Sequence, residues 1–321
     1  MARTRLYRNG TLVLENFPAD DISEHLTDPA SVVWLDLHRP SPNELAMAGE
    51  QFGIHELALE DALHQGQRPK LDRYCTHEFL STHAVSIAPD SADLSISEIS
   101  AFLTGQALIT IRKDDGFPIE DVVARWDESP DMAEHGVDFL LHGLLDHVVD
   151  GHVDAVQQLD DRIEDLEDLL FAERQQMRTV NRRLYALRRS LARLRRVVLP
   201  MREVVDSLVR PGRVTDPLVP YYKDVYDHVL RAIEWTESVQ DMVASAMESN
   251  LSVQSNRMNL IMKKVTSWAA IIAVPTAITG FYGQNLPYPG FAREMGFITS
   301  TTAIVILSAL LYVVFKRKDW L

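Results

Sequence analysis

The residues with the most distinctive chemistry lie near the end of the chain, in "TGFYGQNLPYPGF", Thr279 to Phe291. Upstream of Asn285, the residues Asn259, Met262, Thr266, Ala269, Ala273, Thr276, Gly280 and Gly283 alternate in steps of three and four, which places them on one face of a helix. That face is mostly small or polar although it runs through an apolar segment. A stripe of small residues alone marks a close helix–helix contact. Polar side chains at membrane depth normally face an interior or a water-filled path, and Asn259, Thr276 and Asn285 are of that kind. One helix cannot enclose a path, but a symmetric ring of copies could, and Asn285 would then supply a ring of side-chain amides. Such a ring suits a hydrated divalent ion. Mg²⁺ holds its waters at about 2.0–2.1 Å and loses them reluctantly, and neutral amide oxygens accept hydrogen bonds from those waters without stripping them. A carboxylate ring would hold the ion too tightly, because conduction needs weak, multiple sites.

The elements that must position this face are two apolar runs. From Val265 to Gln284 there is no charged residue for 20 positions, and from Met295 to Phe315 none for 21. Each run is long enough to cross about 30 Å of hydrocarbon as a helix. Residues 251–321 carry seven Lys or Arg against two acids, a net of +5; the whole chain is −14, which leaves −19 for residues 1–250. An acidic soluble part disfavours nucleic acid, whose phosphates demand positive charge, and suits the handling of cations. Arg257, Lys263 and Lys264 precede the first run, and Lys316, Arg317 and Lys318 follow the second. The loop between has only Arg293 beside Glu294. The positive-inside rule therefore predicts cytoplasmic termini and an external Asn285 loop. Met1 to Gly10 is basic and lacks the apolar core of a secretory signal, so the soluble part is expected in the cytoplasm.

Three regions are expected: an α/β domain over residues 1–135, a long-helix region over 136–264, and a two-span membrane region over 265–321. In the first, "SVVWLDL", "HEFLSTHAVSIA", "LSISEISAFLT" and "ALITIRK" read as strands. "SPNELAMAGEQF" opens with a capping box, in which Ser41 is the cap, Pro42 the first helical residue and Glu44 the side chain that reaches back. "HELALEDALHQ" is a further helix.

From Asp138 the periodicity is helical. One helix is expected to about Glu173, and a second carries Leu184, Leu187, Leu191, Leu194, Val198, Met201, Val205 and Leu208 as a heptad seam. Pro200 should kink that helix without ending it. The first of the pair is acidic and the second has ten arginines from Arg174 to Arg202, so their charges are expected to face each other. After a break at "RPGRVTDPLVP", Tyr221 to Gly283 reads as one helix about 95 Å long. A helix of that length is stable only against neighbours, which implies oligomerisation.

Enzyme chemistry finds no support. The 11 histidines include no HExxH, and no GxSxG, P-loop or GxGxxG stands out. His142, His147 and His152 are five apart and do not share a helix face, while His77 and His83 read as strand residues. Cys75 is the one cysteine, which excludes an intrachain disulfide and a CxxC zinc pair.

"YGQN" at the end of the first span, the short aromatic loop, and a second span ending in "FKRKDWL" closely resemble the CorA family of divalent-cation channels, whose signature is Tyr-Gly-Met-Asn. "LALEDALHQGQRPKLDRY" and "VPYYKDVYDHV" resemble two further family segments, so the likeness covers nearly the whole chain. The resemblance implies a funnel-shaped homopentamer in the plasma (inner) membrane, passing Mg²⁺ and also Co²⁺ or Ni²⁺. It implies an outer ion-binding ring from Asn285 with Gly283, a cytoplasmic mouth lined by Asn259, and an apolar constriction from Met262 and Val265. It also implies a cytoplasmic Mg²⁺ sensor between subunits, carried by Asp61 with Glu60 and by Asp224. Two positions depart from the family pattern: Gln284 stands where the signature has Met, and Ala273 stands where a pore Met is common. A zinc-transporting branch of the superfamily also varies the middle signature residue, so Zn²⁺ with proton coupling is the alternative cargo. A membrane-anchored scaffold or sensor without transport is the alternative from a different class.

Overall fold

The computed structural model describes residues 2–64, 66–89, 91–167, 174–284 and 293–321. The chain folds as two compact units, Met1–Ala246 and Met247–Leu321. The first begins with strands β1 (Ala2–Arg8) and β2 (Thr11–Glu15), the short helix α1 (Ile22–His25) and strand β3 (Ser31–His38). Helices α2 (Pro42–Phe52) and α3 (Glu56–Leu63) follow, then strands β4 (Lys70–Arg73), β5 (Glu78–Ile87), β6 (Leu94–Leu103) and β7 (Ala107–Arg112). The rest is helical: α4 (Ile119–Glu128), α5 (Val137–Glu167), α6 (Arg174–Val209), α7 (Val219–Tyr282) and α8 (Glu294–Arg317).

The strands form one sheet in the order β2-β1-β3-β7-β6-β5-β4, with β3 and β7 parallel and the other neighbours antiparallel. The central strands are buried on both faces, which is why they read as near-continuous apolar runs. Along β3 the side chains alternate: Val33, Leu35 and Leu37 enter a core with α2 and α3, and Trp34 enters a second core with α4 and α5. The α2 capping box is formed, with Ser41 Oγ accepting from Glu44 N–H at 3.3 Å and Glu44 Oε2 accepting from Ser41 N–H at 2.7 Å.

One buried charge joins the parallel pair. Asp36 is 1% exposed and receives Arg112 Nη2 at 2.7 Å and Thr110 Oγ1 at 2.7 Å, while Thr110 Oγ1 accepts from Trp34 Nε1 at 3.1 Å. A carboxylate so enclosed is tolerable because its lone pairs are answered.

The eight seam residues of α6, Leu184 to Leu208, are all 1% exposed or less, and the helix continues through Pro200. The expected facing of acidic α5 and basic α6 charges is not what the described arginines of α6 show. Arg189 pairs with Asp93 in the β5–β6 turn at 2.7 Å, and Arg195 pairs with Glu237 of α7 at 3.2 Å. The apolar seam brings the helices together, which turns the polar stripes of α6 toward other neighbours.

Candidate functional site

The second unit holds the later part of α7 and all of α8. Both helices are long and apolar enough to cross a membrane. Each has one sheltered stripe. On α7 it consists of Ser267, 1% exposed, with Ala270, Ile271, Val274 and Ile278 half-buried. On α8 it is Gly296, Ser300, Ala303, Ile304, Ser308 and Leu311. Trp268, Ile272 and Phe281 are more than half exposed.

The small and polar face of α7 lies outside the sheltered stripe. Asn259, Met262, Thr266, Ala269, Ala273, Thr276, Gly280 and Gly283 are all exposed, as are Val265 and Gln284. The two glycines differ in what they answer to. A Cβ on Gly283 would stand 3.0 Å from Thr279 O, so the end of the helix itself favours glycine there. A Cβ on Gly280 would meet nothing within 4 Å. Glycine inside a helix costs up to about 1 kcal/mol relative to alanine, and among the described residues nothing packs on Gly280 to offset that cost.

Pro275 lies within α7 and has no N–H to give the preceding turn. Thr276 Oγ1 donates to Ile272 O at 2.9 Å, and Thr279 Oγ1 donates to Pro275 O at 2.8 Å. Because the Thr276 hydroxyl proton is committed to the backbone, its oxygen offers only lone pairs to anything outside the helix. That is the polarity a cation's water shell requires. Asn285, the residue expected at the outer ring, lies outside the described residues.

The acids expected to form the Mg²⁺ sensor are dispersed. Glu60 and Asp61 lie on α3 and Asp224 on α7. Asp61 Oδ2 is 2.7 Å from Lys70 Nζ, and Gln67 Nε2 donates to Asp61 Oδ1 at 3.3 Å. Lys70 also reaches Asp72 at 2.7 Å. Burial would lower the Lys70 pKa, but these two carboxylates raise it overall. Glu60 and Asp224 are exposed, and Asp61, Glu60 and Asp224 do not converge into one ligand cluster among the described residues.

A different group does converge. Asp146 and Asp150 of α5 and His228 of α7 place one ligand atom each within 4.8 Å of one another. Arg125 of α4 already holds both carboxylates, Asp146 by a short contact and Asp150 at 2.6 Å. Burial works against its charge, yet the two acids raise its pKa. The local signal for this group was the i, i+4 pair in "DHVVD"; the arginine comes from 21 residues upstream of Asp146 and carries no sequence mark.

His142, His147 and His152 of α5 are packed into the fold. His152 is fully buried and donates Nε2–H to His83 O at 2.7 Å; burial pushes its pKa down to about 4. His142 packs edge-on against Tyr221 and Tyr222, and His147 packs against Phe117. Burial lowers the pKa of both.

An α/β domain followed by long helices, the last two with stretches apolar and long enough to cross a membrane, is the architecture of a two-span membrane protein. The sequence matches the family described as "CorA-like Mg2+ transporter protein" over residues 29–317. The chain belongs to that family. It is 31% identical over 301 residues to the cobalt/magnesium transport protein CorA of Thermotoga maritima, covering 92% of this chain and 85% of that one. It is 23% identical to the zinc transport protein ZntB of Yersinia enterocolitica, over 90% of this chain and 88% of that one. The complete structure of the CorA magnesium transporter from Methanocaldococcus jannaschii superposes with a TM-score of 0.80 at 23% identity, covering 100% of this chain and 99% of that one. The family is one of transporters of divalent cations and not a class of enzymes.

Proposed function

We propose that five copies of the chain surround a pore lined by the exposed face of α7 and that the pore passes Mg²⁺, with Co²⁺ or Ni²⁺ as further cargo. The observation that carries this reading is Gly280. It lies in the last turn of α7 and no contact among the described residues requires a glycine there, so we place the reason for its size outside the subunit. Small side chains at 280, 273 and 269 leave room for a hydrated ion. Thr276 and Asn259 offer acceptors to its waters, and Met262 with Val265 forms the apolar constriction. Asn285, with Gly283 and Gln284, is the outer mouth, and both termini are cytoplasmic, on the inner face of the plasma membrane.

Gating by cytoplasmic Mg²⁺ belongs to the same proposal. Within one chain Asp61, Glu60 and Asp224 do not converge, so a regulatory ion would be shared between α3 of one subunit and α7 of the next. Mg²⁺ takes oxygen ligands, and carboxylates are its usual protein partners. An ion shared in this way favours the closed ring, and its loss shifts the population toward open states.

Asn285→Ala is expected to abolish Mg²⁺ uptake in a magnesium-requiring host while the protein still reaches the membrane. Undiminished uptake by that variant would remove Asn285 from the mouth of the pore. A Zn²⁺ transporter on the same fold, with proton coupling, is the second reading. Gln284, an amide where the family signature has a thioether, and the similarity to a zinc transport protein favour it. Competition between Mg²⁺ and Zn²⁺ for entry into proteoliposomes separates the two.

A further inference from the structure

A cavity of about 470 Å³ lies in the first unit, between the β4–β5 turn, the β6–β7 turn, the start of α5 and the connection from α6 to α7. That volume lies within the range of small-molecule sites. Two of its lining side chains, His77 and Arg213, hold buried polar atoms with no hydrogen-bond partner among the described residues: His77 Nε2 and Arg213 Nε. Folded proteins normally answer such atoms.

The polarity of each atom can be assigned. Thr76 Oγ1 gives its one hydrogen to Gly53 O at 3.1 Å, so in its 3.0 Å contact with His77 Nδ1 the ring is the donor. Nε2 is therefore a bare lone pair, on a ring that is 3% exposed and stacked on Tyr74 with centroids 4.7 Å apart. Burial, then the neighbouring His55, lowers the His77 pKa and keeps the ring neutral. Arg213 Nε–H is the opposite case, a donor without an acceptor, on a guanidinium whose Nη2 is tied to Glu78. The first N–H groups of α5 also face outward from the helix start without intrahelical acceptors. Glu134 and Asp138 complete the polar lining, and Asp138 Oδ2 accepts from Thr215 N–H at 3.0 Å.

We propose that this cavity binds a small zwitterion of amino-acid size, its carboxylate on Arg213 Nε–H and the start of α5, its ammonium on His77 Nε2 and the carboxylates of Glu134 and Asp138. One molecule bearing both charges answers both unpartnered atoms at once. A metal ion would face a fixed guanidinium and a helix start, both positive, and the cavity contributes no three-ligand group among the described residues. A simple anion would leave the His77 lone pair unanswered and meet Glu78, Glu134 and Asp138. The site is independent of the ion-transport reading and is tested by binding alone.

The test is calorimetric titration of the full-length protein in detergent with each of the twenty standard amino acids. The tightest binder is then compared with its decarboxylated amine and its deaminated acid. At least one amino acid should bind, and each analogue should bind at least about tenfold more weakly, the factor that about 1.4 kcal/mol represents. His77→Phe keeps the stacked ring and removes the lone pair, and should cost about the same factor. Gly105→Leu offers a second variant: Gly105 lines the cavity, a Cβ there meets nothing within 4 Å, and its φ is not positive. That variant should block binding with unchanged thermal unfolding. The proposal is overturned if no amino acid binds, in which case water alone fills the cavity. It is overturned equally if either analogue binds as tightly as the amino acid, or if both variants bind like the parent.

Discussion

Replacing Gly280 by alanine should stabilise the subunit and slow transport through it, two effects that ordinary packing damage would not combine. A glycine within a helix is up to about 1 kcal/mol less favourable than alanine, less in the last turn of α7 where Gly280 lies, and the added methyl meets nothing within 4 Å among the described residues. Thermal unfolding of the purified protein should therefore move upward. In a ring of subunits the same methyl is added once per copy at a single level of the path, where a hydrated ion must pass. An added barrier of only about 1.4 kcal/mol slows passage about tenfold. Gly280→Leu should abolish passage at similar stability. Uptake into proteoliposomes, followed with an internal Mg²⁺ indicator, measures the flux. Gly283→Ala is the contrasting control: its methyl would press on Thr279 O at 3.0 Å, so stability should fall. The reasoning fails if Gly280→Ala lowers the unfolding temperature, or if Gly280→Leu transports at the parental rate.

Asp61→Ala and Asp224→Ala should each keep transport active at cytoplasmic Mg²⁺ levels that silence the parent, read as current or uptake against internal Mg²⁺; an unchanged inhibition curve removes them from the sensor. Asp36→Ala should cost about 3 kcal/mol in denaturant unfolding, because it takes from the 12%-exposed Arg112 side chain its one carboxylate partner among the described residues; a loss under about 1 kcal/mol would contradict that. Acidification should destabilise the first unit through His152. Its pKa is about 4 when folded against an ordinary 6.5. Above pH 6.5 the ring is neutral in both states and its contribution is complete. Between 6.5 and 4 only the unfolded chain takes up the proton, so stability falls as pH falls, by up to about 3 kcal/mol. Denaturation midpoints that stay constant from pH 7 to 5 would refute it.

The parts of the fold that were legible are those whose signal is local. The β3 run, the Ser41 capping box, the α6 seam and the long α7 helix each follow from spacing within a few turns. Strand β1 is the instructive miss. Its sequence, "ARTRLYR", is basic and is not among the expected strands, yet Arg5 is 4% exposed because Asp127 of α4 receives it at 2.7 and 2.9 Å. A buried position that holds a charge cannot be read from periodicity when its partner lies 122 residues away. The same limit hid α4, whose Arg125 serves α5, and misassigned the partners of the α6 arginines. In the candidate site the polar stripe was legible because it repeats along one helix. The separation of Asp61 and Glu60 on α3 from Asp224 on α7 accords with the expectation that these acids act between subunits, but local spacing carries no signal for it.

The most direct test of the pore is a flux measurement on the purified protein in sealed proteoliposomes, with Mg²⁺ and Zn²⁺ offered together and the proton gradient set to zero or imposed. A passive magnesium pore predicts Mg²⁺ entry down its gradient, unchanged by the proton gradient and lost in Asn285→Ala. Zn²⁺ entry that requires the proton gradient, with no Mg²⁺ entry, would contradict it.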